Sequence, residues 1–389
     1  MRFLDYVSVN PKISLEKERI YPFVEMGDVS TSFRNPDKVE YKSFDSGVKF
    51  ADGDTVIARI TPCLQNGKRF YCKNIGKGFG STEYLVFRPK DSSVDNLYLY
   101  YFMNTDFIKE SMVRSMVGAT GRQRVNNDVF SRLDVTFPNI EIQRRIAEIL
   151  STYDDLIENN RKQIKLLEEA AQRLYKEWFV DLRFPGHENT KITDGVPEGW
   201  RKYKFSDTTS IMGGGTPKTD VKEFYNGNIP FYTPKDSDDS FFAFDTITHI
   251  SQSGLDNCNS QLYPVNTIII TARGTVGKTT ILAVPMAMNQ SCYALKCDEL
   301  NSPYYLFFSL KNEVAALKTM SNGGVFNTII VKTFDSICLI APTQDVLNMF
   351  EASVSPIMEQ IKTKARQNII LTEARDRLLP KLMSGEIEL

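Results

Sequence analysis

Apolar residues along the chain follow two different spacings. Short apolar runs, such as residues 55–58 and 267–270, lie between clusters of Gly, Asp, Asn and Pro. This texture predicts irregular, mostly β units over residues 1–140 and 198–342. After each unit the spacing changes to that of a helix. The chain is therefore predicted to be α+β, with strands and helices mixed.

The clearest helical signal is a heptad seam, in which the steps alternate between four and three residues. Its positions are Tyr153, Ile157, Asn160, Ile164, Leu167, Ala171, Leu174 and Trp178. They predict a long helix over residues 152–180, ~42 Å in length at 1.5 Å per residue. The same steps recur 204 residues later and predict a second long helix over residues 356–384. Both seams carry polar residues near the middle, which are expected to fix register and partner.

Local signals give the expected ends of these helices. Short separate helices are predicted over residues 140–150 and 345–354, before each long one. Ser151 and Ser355 are suitable N-caps for the long helices. Gly385 is a suitable stop for the second.

The recurrence extends beyond the seam. Six of the twelve residues from 163 to 174 are repeated at an offset of 204. The repeated pairs are Gln163/Gln367, Leu167/Leu371, Glu169/Glu373, Ala170/Ala374, Arg173/Arg377 and Leu174/Leu378. A period of this size is a domain-sized duplication. Duplicated halves are expected to be related by a pseudo-twofold axis, so the two long helices should pack antiparallel as a coiled coil.

Composition narrows the possible functions. The 389 residues contain 42% hydrophobic and 24% charged residues, as in ordinary folded proteins, and the net charge of −1 permits a polyanion binder only if its basic residues share one face. Six scattered cysteines without a C-x-x-C pair indicate reduced thiols and a cytoplasmic protein. No apolar run is long enough to span a membrane. With two histidines in the chain, we expect no catalytic site and no metal site.

One segment imitates a nucleotide-binding loop. Residues 272–279, ARGTVGKT, fit a relaxed phosphate-loop pattern after an apolar strand. A phosphate loop must lead into a helix, whereas the next residues are β-branched and end at Pro285. A nucleotide-binding enzyme that uses this loop stays open as an alternative, and so does a bivalent protein scaffold.

Polar and basic loops occur at similar places in both halves, and Arg, Lys, Asn and Gln are the side chains that pair with DNA base edges. Candidates in the first half are Arg59, Gln65, Asn66, Lys68, Arg69, Arg122, Gln123, Arg124 and Asn126. Candidates in the second half are Thr216, Lys218, Thr219, Thr233, Lys235, Arg273, Lys278, Asn289, Gln290 and Asn322. They are predicted to contact double-stranded DNA.

Several segments, taken in order, resemble one known family. They are GGGTPKT at 213–219 leading to IPFYTPKD at 229–236, its shorter counterpart YPFVEMGD at 21–28, the stretch at 137–151, and the junction at 178–200. In this order they are similar to the specificity (S) subunits of type I restriction–modification enzymes.

The resemblance assigns a role to each part of the chain. The parts are a first target-recognition domain at 1–140, a central helical region at 141–180, a linker at 181–197, a second target-recognition domain at 198–342, and a distal helical region at 343–389.

The resemblance also implies a function. Such subunits are non-catalytic, each recognition domain reads one half of a bipartite DNA site, and the helices set the spacer. Modification methyltransferase subunits dock on the helices, and restriction (translocase) subunits join them. S-adenosylmethionine, ATP and Mg²⁺ are expected on those partner subunits only.

Overall fold

The structure is a computed structural model that describes residues 1–119, 121–297, 300, 302–320 and 328–389. The chain forms two compact units: Met1–Asn160 with Gln367–Leu389, and Arg161–Arg366. Each unit contains part of both long helices. No described helix is long and apolar enough to cross a membrane.

The first unit contains two four-stranded sheets and five helices that begin before residue 160, together with the last part of the long helix α10 (Gln344–Ser384). The strands are β1 (Val7–Val9), β2 (Ile20–Val24), β3 (Glu40–Ser43), β4 (Val48–Phe50), β5 (Thr55–Ala58), β6 (Arg69–Tyr71), β7 (Gly78–Gly80) and β8 (Tyr84–Pro89). The helices are α1 (Phe3–Tyr6), α2 (Asn96–Phe102), α3 (Asp106–Arg114), α4 (Val129–Arg132) and the first part of α5 (Ile140–Tyr175). One sheet has the antiparallel order β1-β8-β5-β6; the other, β3-β2-β7-β4, contains the parallel pair β2-β7.

The second unit has a larger sheet and more short elements. Its strands are β9 (Ile192–Thr193), β10 (Val196–Pro197), β11 (Arg201–Lys204), β12 (Thr209–Gly213), β13 (Ile229–Tyr232), β14 (Phe242–Ala243), β15 (His249–Ile250), β16 (Ile268–Thr271), β17 (Thr279–Leu282), β18 (Ala287–Met288), β19 (Cys292–Cys297) and β20 (Cys338–Ala341). After α5 its helices are α6 (Phe205–Thr208), α7 (Gln252–Asp256), α8 (Pro303–Met320), α9 (Val331–Asp335) and the first part of α10 (Gln344–Ser384). The sheets are β12-β19-β16-β17-β14, β15-β13-β18, and the pairs β11-β20 and β9-β10.

The two units share a strand topology. The order β1-β8-β5-β6 in the first corresponds to β12-β19-β16-β17 in the second, and all these neighbours are antiparallel. The parallel pair β2-β7 corresponds to the parallel pair β13-β18. The duplication that was read from the helices therefore extends to the sheets, and the α+β prediction is confirmed.

The long helices begin earlier than predicted. α5 is continuous from Ile140 and α10 from Gln344, so the separate short helices were wrong. Ser151 lies inside α5, where its hydroxyl donates to the carbonyl of Glu148 at 3.1 Å instead of capping a terminus. Ser355 and the proline after it lie inside α10.

The ends of these helices are where the sequence placed them. A single π-helical turn, Lys176–Val180, extends α5 to residue 180. α10 stops at Ser384, and Gly385 follows with φ +75°, the left-handed conformation that ends helices most readily at glycine.

The two long helices run antiparallel in each unit. In the first unit the Asn160 amide donates to the Gln367 side chain at 3.3 Å, and the Arg375 guanidinium donates to Asp154 at 2.5 Å. The partner on α10 moves backwards as the position on α5 advances. In the second unit Tyr175, near the end of α5, has its ring 6.4 Å from that of Phe350, near the start of α10.

The predicted seam positions are all buried or half-buried on both helices. One position is shifted: Tyr153 is half-buried, whereas its neighbour Asp154 is 1% exposed. The charged side chain therefore occupies the seam at this level.

A buried arginine joins the recognition part of the first unit to α5. Arg34 is 1% exposed, and its guanidinium donates to both carboxylate oxygens of Glu158 at 2.9 Å and to Asp155 at 2.5 Å. Lys73 also donates to Asp155, at 3.0 Å. Charge-assisted bonds of this bidentate form fix orientation as well as distance.

We expect Arg34→Ala to destabilise the first unit by roughly 3 kcal/mol, because Glu158 would remain mostly buried without its partner. The measurement is the free energy of unfolding in urea. Arg19→Ala is the control: Arg19 and Glu16 form an exposed ion pair, for which we expect a loss of less than ~1 kcal/mol. Equal losses in both variants would contradict the structural role of Arg34.

Candidate nucleic-acid interface

Four loops of the second unit converge at the ends of its strands. The Asn289 backbone amide donates to the Tyr232 carbonyl at 3.0 Å, and the hydroxyls of Ser237 and Thr275 are 2.5 Å apart. We call these loops the second-unit loop cluster, and they comprise residues 213–219, 233–237, 272–278 and 289–291.

Glycines allow two of these loops to approach closely. A Cβ on Gly214 would lie 2.3 Å from the Asn289 carbonyl oxygen, and a Cβ on Gly215 would lie 2.6 Å from the Asn259 backbone nitrogen. Real Cβ atoms do not come so close, so side chains at these positions would separate the backbones. Gly214 and Gly215 are thus explained by close backbone packing, in which the Gly215 amide donates to the Met288 carbonyl at 3.1 Å.

Most candidates of the second half belong to this cluster, and they divide by exposure. The exposed side chains are Thr216, Lys218, Thr219, Lys235, Arg273 and Gln290, and the half-buried ones are Thr233, Lys278 and Asn289. Asn322 lies outside the described residues.

The half-buried candidates already have partners within the chain. Both the amide and the hydroxyl of Thr233 donate to Asp236, at 2.8 and 2.7 Å. The Lys278 ammonium lies 3.3 Å from the carboxylate of Asp239, which is 93% exposed. An ion pair this open to solvent is weak, so Lys278 can exchange its partner for another anion.

The loop that imitates a nucleotide-binding site is a hairpin turn. Residues 272–278 connect β16 to the antiparallel strand β17. The Gly277 amide donates to the Thr271 carbonyl at 2.8 Å, and the Lys278 amide to the Thr271 hydroxyl at 3.1 Å. A phosphate loop needs a following helix and outward-facing amides. The structure therefore gives no support to the nucleotide-binding alternative at residues 272–279.

Three separate segments of the first half also come together. The Thr61 amide donates to the Gln123 carbonyl at 2.9 Å, the Gln123 amide donates back to the Thr61 hydroxyl at 3.0 Å, and the Val125 amide donates to the Arg59 carbonyl at 2.9 Å. We call this region the first-unit loop cluster, and it comprises residues 59–69, 81–83 and 121–126.

Candidates of the first half differ in what they can reach. The exposed ones are Gln65, Asn66, Arg122, Arg124 and Asn126, and the half-buried ones are Arg59, Lys68, Arg69 and Gln123. The Lys68 ammonium donates to the Met26 carbonyl at 2.6 Å, and Arg69 donates to the Gly67 carbonyl at 2.9 Å. Lys68 and Arg69 therefore hold the loop from inside.

Glu83 is a residue of this cluster that the sequence reasoning missed. Arg124 donates to both of its carboxylate oxygens at 2.6–3.0 Å, and the Arg59 Nε lies 3.8 Å away. The hydrogen bonds from Arg124 hold the pKa of Glu83 below its usual range. A shared carboxylate orients two guanidinium groups. The sequence carried no signal for it, because the correspondence between the β7–β8 turn, residues 81–83, and residues 289–291 becomes visible only in the strand order.

Arg59 and Arg273 are not equivalent, although each follows an alanine at the end of a similar strand. The Arg59 amide donates to the Glu83 carbonyl at 2.8 Å, and in the second unit it is the Ala272 amide that donates to the Ser291 carbonyl, at 2.7 Å. Arg59 thus corresponds to Ala272. The two arginines therefore follow the ends of their strands at positions that differ by one residue.

The family model for the type I restriction modification DNA specificity domain matches the chain twice, at residues 9–169 and 197–346. The two matches together cover more than half of the sequence. The chain belongs to this family: it is a specificity subunit of a type I restriction–modification system, with two recognition domains. This result gives no support to the nucleotide-binding or protein-scaffold alternatives.

Individual relatives agree with the assignment. The chain is similar to the type I restriction enzyme HindI specificity subunit of Haemophilus influenzae, with 26% identity over 94% of each sequence. It is 28% identical to the MjaIX specificity subunit of Methanocaldococcus jannaschii over 77% of this chain and 70% of the relative. A crystal structure of an S subunit from M. genitalium has the same fold, with a TM-score of 0.58, 17% identity, and coverage of 98% of this chain and 95% of the other.

Substituting Gly214 tests whether the close loop packing builds the second-unit loop cluster. We expect Gly214→Ala to destabilise the second unit by ~1–3 kcal/mol, because the new methyl group would displace the Asn289 backbone. Gly213→Ala is the matched control, since a Cβ there meets nothing within 4 Å among the described residues. Chemical denaturation of both variants is the measurement, and equal stability would refute the packing explanation.

Proposed function

We propose that each loop cluster contacts DNA and reads one half of a bipartite site. One observation carries the proposal: the same strand topology occurs twice, and in both copies it ends in loops that expose Arg, Lys, Asn or Gln. The family model that matches both copies is that of a DNA specificity domain. Amide and guanidinium groups pair bidentately with adenine and guanine in the major groove.

The structure favours a division of roles among the candidates. Exposed side chains such as Arg273, Arg122 and Gln290 can reach base edges. Lys278, which has a solvent-exposed carboxylate partner, suits a phosphate, since a phosphate contact positions the protein without reading sequence. Arg124 reaches DNA with its orientation already set by Glu83.

The helices would set the distance between the two half-sites and carry the partner subunits. α5 has 36 residues and α10 has 41. A helix of α5's length spans ~54 Å, which exceeds the ~34 Å of one DNA turn. We propose that methyltransferase subunits with S-adenosylmethionine dock on these helices, that restriction subunits bind ATP and Mg²⁺, and that this chain is itself non-catalytic.

Arg59→Ala and Arg273→Ala test the assignment of one half-site to each cluster. In the complex with methyltransferase subunits, each variant is expected to relax methylation at a different half of the site, by ~1–3 kcal/mol if the arginine reads a base. Sequencing of methylated sites is the measurement. Arg377→Ala, which removes an 82% exposed charge on α10, is the control and should leave both halves unchanged. Identical relaxation by the two cluster variants would exclude separate readers.

Shortening the paired helices tests whether they set the spacer. Deleting one heptad from each, residues 159–165 and 364–370, preserves the seam and keeps Glu158 and Asp154 in place. Removal of seven residues shortens each helix by ~10 Å. The spacer in the methylated sites should shorten and the bases read should not change. The control deletes residues 159–165 alone, which offsets the pairing and should abolish methylation. An unchanged spacer after the paired deletion would contradict the proposal.

A further inference from the structure

The seam between α5 and α10 contains a buried ion pair, Asp154–Arg375. Asp154 is 1% exposed and Arg375 is 5% exposed, and the Arg375 guanidinium donates to Asp154 Oδ1 at 2.5 Å. The Tyr101 hydroxyl donates to the other carboxylate oxygen at 2.5 Å. Arg375 also reaches Asp376, at 2.8 Å, whose side chain is 56% exposed. Asp154 thus has one cationic partner, Arg375, among the ion pairs of the described residues.

The corresponding level of the second unit is apolar. At positions related by the 204-residue offset, Met358 corresponds to Asp154 and Ala171 corresponds to Arg375. Met358 and Ala171 are both 0% exposed in the core of the second unit. This level of the helix pair is therefore charged in the first unit and apolar in the second.

This difference matters because the duplication makes each helix a possible partner for the same helix of a second copy of the chain. The first and second parts of α5 repeat those of α10, and so two copies of the chain could form antiparallel α5–α5 and α10–α10 pairs. In the α5–α5 pair, Asp154 would face Ala171 of the second copy. In the α10–α10 pair, Arg375 would face Met358 of the second copy. Both arrangements separate a buried charge from its counter-charge.

We infer that the Asp154–Arg375 pair directs α5 to pair with α10 and excludes α5–α5 and α10–α10 pairs with a second copy. Tyr101 and Asp376 would remain in place in either exchanged pair. A neutral hydroxyl does not replace the counter-charge of Asp154, and Asp376 is largely exposed to solvent. A single polar contact within an apolar seam is known to specify partners in this way, since the alternative leaves a polar group unpaired.

The full-length double variant Asp154→Met/Arg375→Ala gives both units the same apolar crossing. Two differently tagged copies are co-expressed, and the second tag is measured after capture of the first, with the mass determined by light scattering. We expect the variant to fold and to show at least a several-fold increase in dimer. The control, Glu373→Ala/Arg377→Ala, removes an exposed ion pair from α10 and should match the unchanged chain. A double variant that stays monomeric at every concentration would overturn the inference.

Charge reversal gives an independent result. Chains carrying Asp154→Arg or Arg375→Asp each place like charges within their own seam. When the two are co-expressed, a heterodimer in which each α5 pairs with α10 of the other copy restores both ion pairs, and we expect it to form. The double variant Asp154→Arg/Arg375→Asp should be monomeric. A mixture of the single variants that remains monomeric and as stable as the unchanged chain would also overturn the inference. If the single variants do not fold, the Met/Ala double variant decides.

Discussion

The antiparallel contact between α5 and α10 is the constraint on which the other parts depend. Each unit uses one section of this pair as part of its hydrophobic core, so that Ile146 and Leu150 pack with Leu382 in the first unit, and Ala171 packs with Met358 in the second. Neither helix could remain folded with its apolar stripe in water. Within each unit, residues of the sheets share this core with the helices, such as Leu85 in the first unit and Ile270 in the second.

The sequence predicted the seam well because a heptad pattern is a direct record of which side chains are buried. It failed at the starts of the helices, because Ser151 and Ser355 are local capping signals that packing overrides: the preceding turns carry Ile146 and Leu150 into the core. The ends were predictable because a glycine such as Gly385 adopts positive φ almost without cost. Burial in the tertiary structure therefore overrides the local signals at the N-termini of the two long helices and not at their C-termini.

The loops were predictable by composition and not by geometry. Residue type identified Arg273, Arg124 and Gln290 as exposed polar groups, but it could not show that Lys68 points at a backbone carbonyl. Glu83 was missed because a carboxylate is not expected among groups that approach a polyanion. Its position emerges when the two units are superimposed by strand order, which requires the sheets. Arg59 and Arg273 each follow an alanine at the end of a similar strand, whereas the hydrogen bonds to the neighbouring strand differ by one residue.

The inward attachment of Lys68 and Arg69 has a consequence for how such a surface can diversify. Both side chains stabilise their loop through backbone carbonyls, which every residue type supplies. The exposed side chains of the neighbours Gln65 and Asn66 are not needed for these contacts. These two residues can be replaced one at a time during evolution, which changes the side chains offered to a target, while the loop keeps its conformation. Residues that can vary thus lie beside the residues that hold the loop's conformation.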